Sequence, residues 1–325
     1  MLTRCVIGLS IAATLAIPAV VAAQDFTPIS DRILSDPTYL PLKGEFYGES
    51  SYSHVEANSQ DFDYTGANTA TGHRTLNTLR QTFAFGITDM LSVHIGEGYG
   101  FSGRDRSTTA SGVTTTDVSG WQDPTFGLTY RVLDQRTNPA SLDVFADYSP
   151  DAFSSNTGGP GLNRSVARGG PSAGFGLALG HETRVFTIRG AVTATYYGSS
   201  ATNNSITAGT VGATSYWVPT LGIQTQTRFT NRLSANVGAE YNFEGSPVVT
   251  NNVSGLQHVD KIGDNQSINA SLNYHFIPNK LVGSFTYGHT FYDHTNNTYP
   301  VDPTFDTYRS QSSDTFGVAF KYVFK

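Results

Sequence analysis

From Lys43 onward, apolar and polar residues alternate one for one, and the alternation runs for longer than a soluble strand requires. The last stretch shows it most plainly: Phe316, Val318, Phe320, Tyr322 and Phe324 stand in one phase, and Thr315, Gly317, Ala319 and Lys321 in the other. Leu233, Ala235, Val237, Ala239, Tyr241 and Phe243 alternate with Asn236, Gly238, Glu240 and Asn242. Ile268, Ala270, Leu272, Tyr274 and Phe276 alternate with Asn269, Ser271, Asn273 and His275. A period of two marks a strand whose faces meet different surroundings. Here the polar phase is Gly, Ser, Thr and Asn, so the apolar phase is read as facing lipid and the polar phase as facing a lumen. Only 14% of residues are Asp, Glu, Lys or Arg, against ~25% in soluble domains.

The spacing of connections predicts the architecture. Five short turns (Thr88-Asp89-Met90, 134–139, 181–184, Thr230-Asn231 and 278–280) alternate with six long polar stretches at 54–72, 104–117, 151–168, 199–212, 246–262 and 296–312. Together they join twelve strands, near 43–54, 73–87, 91–103, 118–133, 140–150, 169–181, 185–198, 213–229, 232–245, 263–277, 281–295 and 313–324. The expected fold is all-β, a transmembrane antiparallel β-barrel of twelve strands of the bacterial outer-membrane type. Such barrels have short periplasmic turns and longer outside loops, and an even strand count puts both termini in the periplasm. The main alternative, a β-sandwich, does not account for strands this long, since soluble strands cluster near ~5–6 residues.

Residues 1–23 read as a secretory signal peptide: Arg4 at the start, an apolar stretch from Val6 to Val21, and small residues Ala22 and Ala23 at a cleavage site. Residues 24–42 are a periplasmic segment or a short plug, with 31–34 as one helical turn, and 43–325 are the barrel. The single cysteine, Cys5, falls in the signal segment, which leaves no disulfide and no Cys-ligated metal in the mature chain. Removing Arg4 from 20 basic and 26 acidic residues gives a mature net charge of −7, which argues against a nucleic-acid partner. The expected partners are outer-membrane lipid, the Sec export route, the barrel-assembly machinery and a small-molecule solute.

Two residues strain the alternation. Glu97 falls in phase with Val93, Ile95, Tyr99 and Phe101, and a bulge at Gly96 and Gly98 would turn it inward. Pro219 interrupts the eighth strand, where a bulge is likewise expected.

The inward phase is where chemistry belongs. It contains Arg80, His94, Asp123, Arg131, Asp143, Asp147, Arg189, Gln224, Gln226, Arg228, Glu240, His275 and Lys321. Arg80, Arg131, Arg189 and Arg228 read either as a basic ladder for acidic solutes or as partners of Asp143, Asp147 and Glu240 in structural ion pairs. Twelve strands tilted ~40° at ~4.8 Å spacing enclose a ring of roughly 12 Å backbone radius. That leaves a path for small solutes and not for folded proteins. Arg is expected to be tolerated at Asn236 or Asn273 and penalised at the lipid-facing Val237, Ala270 and Leu272. No phosphate loop, HExxH or calcium-loop motif is present, so neither a cofactor nor a metal is expected. Adjacent Asp293 and His294 point to opposite faces of a strand and do not form a catalytic pair. The expected function is a channel or transporter for diffusion of small solutes, with small aromatic or hydrophobic compounds as the class to examine, rather than an enzyme. The alternatives are a closed structural or surface-binding barrel and an outer-membrane hydrolase.

Two resemblances bear on this reading. Thr315, Gly317, Phe320, Tyr322 and Phe324 resemble the C-terminal signal read by the barrel-assembly machinery, with the terminal aromatic one residue early because Lys325 follows. Gly120-Trp121-Gln122-Asp123 together with Gly127-Leu128-Thr129-Tyr130-Arg131 resembles a strand of the phenol meta-cleavage pathway transporter-like barrels. It covers about a twentieth of the chain. It implies an outer-membrane barrel associated with catabolic or uptake functions and leaves the substrate open.

Overall fold

The computed structural model describes residues 33–158, 163–204, 209–252, 254–300, 304 and 306–324; residues 1–32, with the signal-peptide reading, lie outside them. The alternating segments form one closed antiparallel barrel of twelve staves. These are β1 (Phe46–Asp63), β2 (Asn68–Gly86), β3 (Leu91–Thr109), β4 (Gly112–Trp121) with β5 (Thr125–Leu133), and β6 (Ser141–Ser149). After the two-residue β7 (Ser155–Asn156) come β8 (Ser172–Glu182), then β9 (Phe186–Tyr197) with β10 (Ser200–Asn204). β11 (Gly209–Ala213) with β12 (Tyr216–Arg228), β13 (Leu233–Asn242) with β14 (Val248–Asn251), and β15 (Gln257–Lys261) with β16 (Asn265–Ile277) make three more staves. β17 (Leu281–Thr298) and β18 (Thr307–Phe324) complete the ring. It closes through β1 and β18, paired without a register shift from Phe46↔Phe324 to Asp63↔Thr307. Closure leaves no open edge, which is what lets a sheet stand in hydrocarbon.

The pairing register assigns the faces. Phe83↔Ile95, Leu128↔Ala146, Leu177↔Val192 and Phe285↔Val318 put the apolar phase of neighbouring staves on one surface. Phe175, Leu177, Leu179, Val192 and Leu272 are each half-exposed there, as side chains meeting lipid are. Short turns are fixed by threonine. The Oγ1 atoms of Thr88 and Thr230 each accept from two backbone N–H groups, 2.9–3.1 Å away, and Thr183 Oγ1 accepts from Phe186 N. Asn279 closes the last turn at φ 60°, a conformation Asn tolerates.

The structure departs from the sequence expectation in several places. Most of the expected long loops carry strand. The first is an extended hairpin whose turn is held by Asp63, whose Oδ1 accepts from Thr65 N and Ala67 N; the second turns at Gly112, φ 134°. Ser/Thr/Asn-rich sequence on both phases signals water on both faces and does not forbid a ladder. The fourth stave breaks at 122–124, where Pro124 has no N–H to donate. Glu97 is not turned inward: it pairs in register with Gln81, and the register shift lies instead between Thr75 and Asn77. Pro219 needs no bulge. Its O accepts from Phe243 N just past the end of β13, so its missing N–H falls where the ladder has already stopped. Residues 33–39 are two successive turns, Asp36 N→Ile33 O and Tyr39 N→Asp36 O; of the expected helical turn at 31–34, Asp31 and Arg32 lie outside the described residues.

Candidate functional site

The short-turn end of the lumen is filled by the segment before β1. Asp36 followed by Pro37 sets a tight turn, in which Asp36 Oδ1 accepts from Thr38 N at 2.8 Å and Thr38 Oγ1 at 2.7 Å. The other carboxylate oxygen accepts from Arg228 at 2.7 Å and from Thr187 Oγ1 at 2.5 Å. Arg228 also reaches Glu182, so one buried cation serves two carboxylates. Ser35 Oγ lies 3.2 Å from His275 Nε2 and accepts from Gln226 Nε2 at 2.8 Å. On the other side, Thr38 O accepts from Arg131, whose guanidinium makes a two-point pair with Asp143 at 2.8 and 3.1 Å. Leu34 is only 2% exposed. Gly180 makes room for this chain, since a Cβ there would stand 2.5 Å from Thr38 Cγ2. Arg131 belongs to the fourth stave and His275 to the tenth. Six places apart in a ring of twelve, they face each other, so residues 35–38 bridge the lumen from wall to wall.

Midway along the lumen the two walls differ. On the β2–β9 side, His94 Nε2 sits 3.0 Å from Asp147. Arg80 lies over Gly96. Arg189 stands 5.9 Å from the Phe145 ring, with its Nε buried and without a hydrogen-bond partner among the described residues. The β13–β18 side is nearly neutral: Asn269, Ser271, Ser284, Thr286, Gly288 and Gly317 share the inward phase, with Asn273 accepting from Ser284 at 2.7 Å. Gln224 and Glu240 point inward on β12 and β13, at positions paired with Gly238 and Gly222. Lys321 lies 3.5 Å from Glu49.

At the long-hairpin end the described parts of the connection after β6, residues 151–158 and 163–171, fold back along the inner wall. Val118 and Arg164 form a parallel bridge, and Arg164 binds Asp105 at 2.7 Å. Asp123 is not on a strand. It accepts from Ala152 N and Phe153 N at 3.0 Å and from Arg168 N at 3.3 Å, so it pins this connection. Arg168 lies 4.4 Å over the Tyr197 ring, a cation–π contact. The lumen is therefore narrowed from both ends, with Arg80, His94, Asp147 and Arg189 between.

Of the thirteen inward candidates, Arg131 with Asp143, His94 with Asp147 and Lys321 with Glu49 come together as pairs. Gln226, Arg228 and His275 converge on Ser35 and Asp36. Sequence reasoning missed Ser35, Asp36, Thr38 and Glu182 as partners, because their bonds span 46 to 240 residues and leave no local pattern. In β18, Thr315 and Gly317 face inward, while Phe320, Tyr322 and Phe324 face outward with Tyr322 ring atoms over Gly48.

No family model matches the chain, and no curated protein does. Among solved structures, it is similar to an outer-membrane channel from Pseudomonas putida F1, with 13% identity and a TM-score of 0.58 over 92% of this chain and 100% of that one. It is also similar to the P. putida toluene transporter TodX (12% identity, TM-score 0.47, covering 89% and 93%). The outer-membrane protease OmpT of Escherichia coli is similar too (8%, 0.41, 89% and 99%). At these identities the likeness is one of fold.

Proposed function

We propose that the chain is an outer-membrane channel for passive diffusion of small solutes, with small aromatic and hydrophobic compounds as the preferred class, and not an enzyme. The observation that carries this reading is the pair of cations Arg80 and Arg189, with no ion-pair partner among the described residues, facing a nearly neutral wall in the middle of a closed barrel. The similarity to the P. putida F1 channel supports transport. The segment from Gly120 to Arg131, resembling the phenol meta-cleavage pathway transporter-like barrels, supports the solute class. Residues 1–23 are proposed as an export signal for the Sec route, and both termini as periplasmic. β18 is proposed as the segment read by the assembly machinery.

The wall-to-wall bridge at 35–38 favours a second element of the reading, a narrowed resting state. Asp36→Ala removes one of the two carboxylates on buried Arg228. Breaking such a pair costs ~3–5 kcal/mol when no partner remains, and Glu182 keeps the loss near the lower end. In planar bilayers, wild type is expected to show small current steps and Asp36→Ala larger ones. Absence of current in both folded proteins, together with no swelling of liposomes in a small aromatic acid, would count against a channel.

A further inference from the structure

Glu97 is a carboxylate on the lipid-facing surface, and no hydrogen bond or ion pair to it is present among the described residues. Its place is set by register. Phe320, Ser50, Gln81 and Glu97 form one cross-stave row on the outward face. The tier below this row holds Tyr322, Gly48, Phe83 and Ile95, with Phe46 and Phe85 beneath it; the tier above holds Val318, Tyr52, Leu79 and Tyr99. The row thus lies between two apolar tiers, inside the hydrocarbon band. Its other polar members satisfy one another: Ser50 Oγ donates to Gln81, and Gln81 Nε2 donates to Tyr322 Oη at 2.9 Å. The row stops at Glu97 because the next stave is broken at 122–124, and Pro124 offers no N–H. A carboxylate at this depth is costly without a partner and marks function by default.

A groove of about 670 Å³ adjoins it, bounded by Tyr52, Leu79, Tyr99, Trp121, Val318 and Phe320. We infer that this groove is a binding site, reached from the membrane, for an amphiphile with a protonated amine head and a single apolar tail. The ammonium pairs with Glu97 in low dielectric, where the attraction is strong. The Trp121 and Tyr99 rings, with centroids 5.0 Å apart, offer π faces to the same cation. The tail lies along Leu79, Val318 and Phe320. A second copy of the chain does not fit as occupant. The Lys and Arg residues on the staves between the two aromatic tiers, Arg80, Arg131, Arg189, Arg228 and Lys321, take the inward phase. A facing copy therefore brings no cation. The inference stands whether or not the lumen conducts.

The test uses the full chain carrying Trp217→Phe, so that Trp121 is the sole tryptophan, in phosphatidylcholine vesicles at pH 7. Two spin-labelled probes of equal chain length are compared as quenchers of Trp121 emission, an alkylamine and an alkyl alcohol. The amine is expected to reach half-quenching at roughly three- to tenfold lower mole fraction. Glu97→Gln removes a charge from hydrocarbon, leaves the fold intact and is expected to abolish the difference. Gln81→Arg, which supplies an internal partner to Glu97, is expected to abolish it as well. Equal quenching by the two probes in the unsubstituted site, or a preference that survives either substitution, overturns the inference. So does protection of Trp121 from both probes with cross-linking between copies, which places a second chain on the groove.

Discussion

The outward face over β8 and β9 and the outward face over β1 to β3 obey the same alternation and meet the membrane differently. Over β8 and β9 no outward position of the middle band carries a polar side chain: they are Phe175, Leu177, Leu179, Gly190, Val192 and Ala194. Over β1 to β3 the equivalent tier is Ser50, Gln81 and Glu97. Periodicity therefore reports which side of the wall a residue occupies, whereas composition reports what that side touches. Where the two disagree, the wall carries a local feature that a uniform lipid belt does not need.

The largest expected effect sits on the ordinary sector. Leu177→Arg places a guanidinium in hydrocarbon and is expected to cost ~2–4 kcal/mol in reversible unfolding from lipid vesicles. Gln81→Arg tests the other sector. Its guanidinium meets Glu97 on the neighbouring stave, so the penalty is expected to fall to about half or less of the ~2–4 kcal/mol scale. Adding Glu97→Gln should restore the full penalty, and equal costs with and without Glu97 would erase the contrast between the sectors. The smallest effect belongs to a turn outside the membrane. The Arg136 guanidinium, hydrogen-bonded to Asp134, holds that carboxyl below the usual carboxylate range. The folded pKa lies below the unfolded one, so this contribution is complete above about pH 4 and fades as pH falls through the lowered value. Asp134→Asn is expected to cost under ~1 kcal/mol at pH 7 and nothing at low pH, seen as converging denaturation midpoints.

Much of the barrel was legible because lipid imposes a strict rule on every second residue. Phe126, Leu128, Tyr130 and Val132 took the outward phase, and the five short turns placed the staves. Legibility failed where contacts are distant or where both faces meet water. The hairpins above the membrane read as loops because Ser and Thr occupy both phases. The inner face read as uniformly wet, yet Asn273 is 2% exposed, packed against Ser284 and Asn236, and Asn236 donates to Ser35 O. Arg at Asn273 has no room, so the expected tolerance does not extend to that level of the lumen. Nothing near Ile33 or Asp36 in the sequence points to Arg228 or His275, since the bonds join opposite ends of the chain. Glu97 was visible as an exception in phase, but the bulge proposed to remove it assumed that every outward charge is an error.

The seam between β1 and β18 carries a consequence for biogenesis. The first strand made finds its partner only in the last, across more than 240 residues of chain, with no slip in eighteen rungs. Until residue 307 has left the ribosome, β1 has one free edge, a template for any exposed strand nearby. The other staves of the barrel pair with their neighbours in sequence, so this one seam carries the long separation, and pairings that distant form slowly. The nascent chain must therefore be kept from pairing wrongly until β18 arrives, and a truncation in β18 leaves not a slightly shorter barrel but an unclosed sheet.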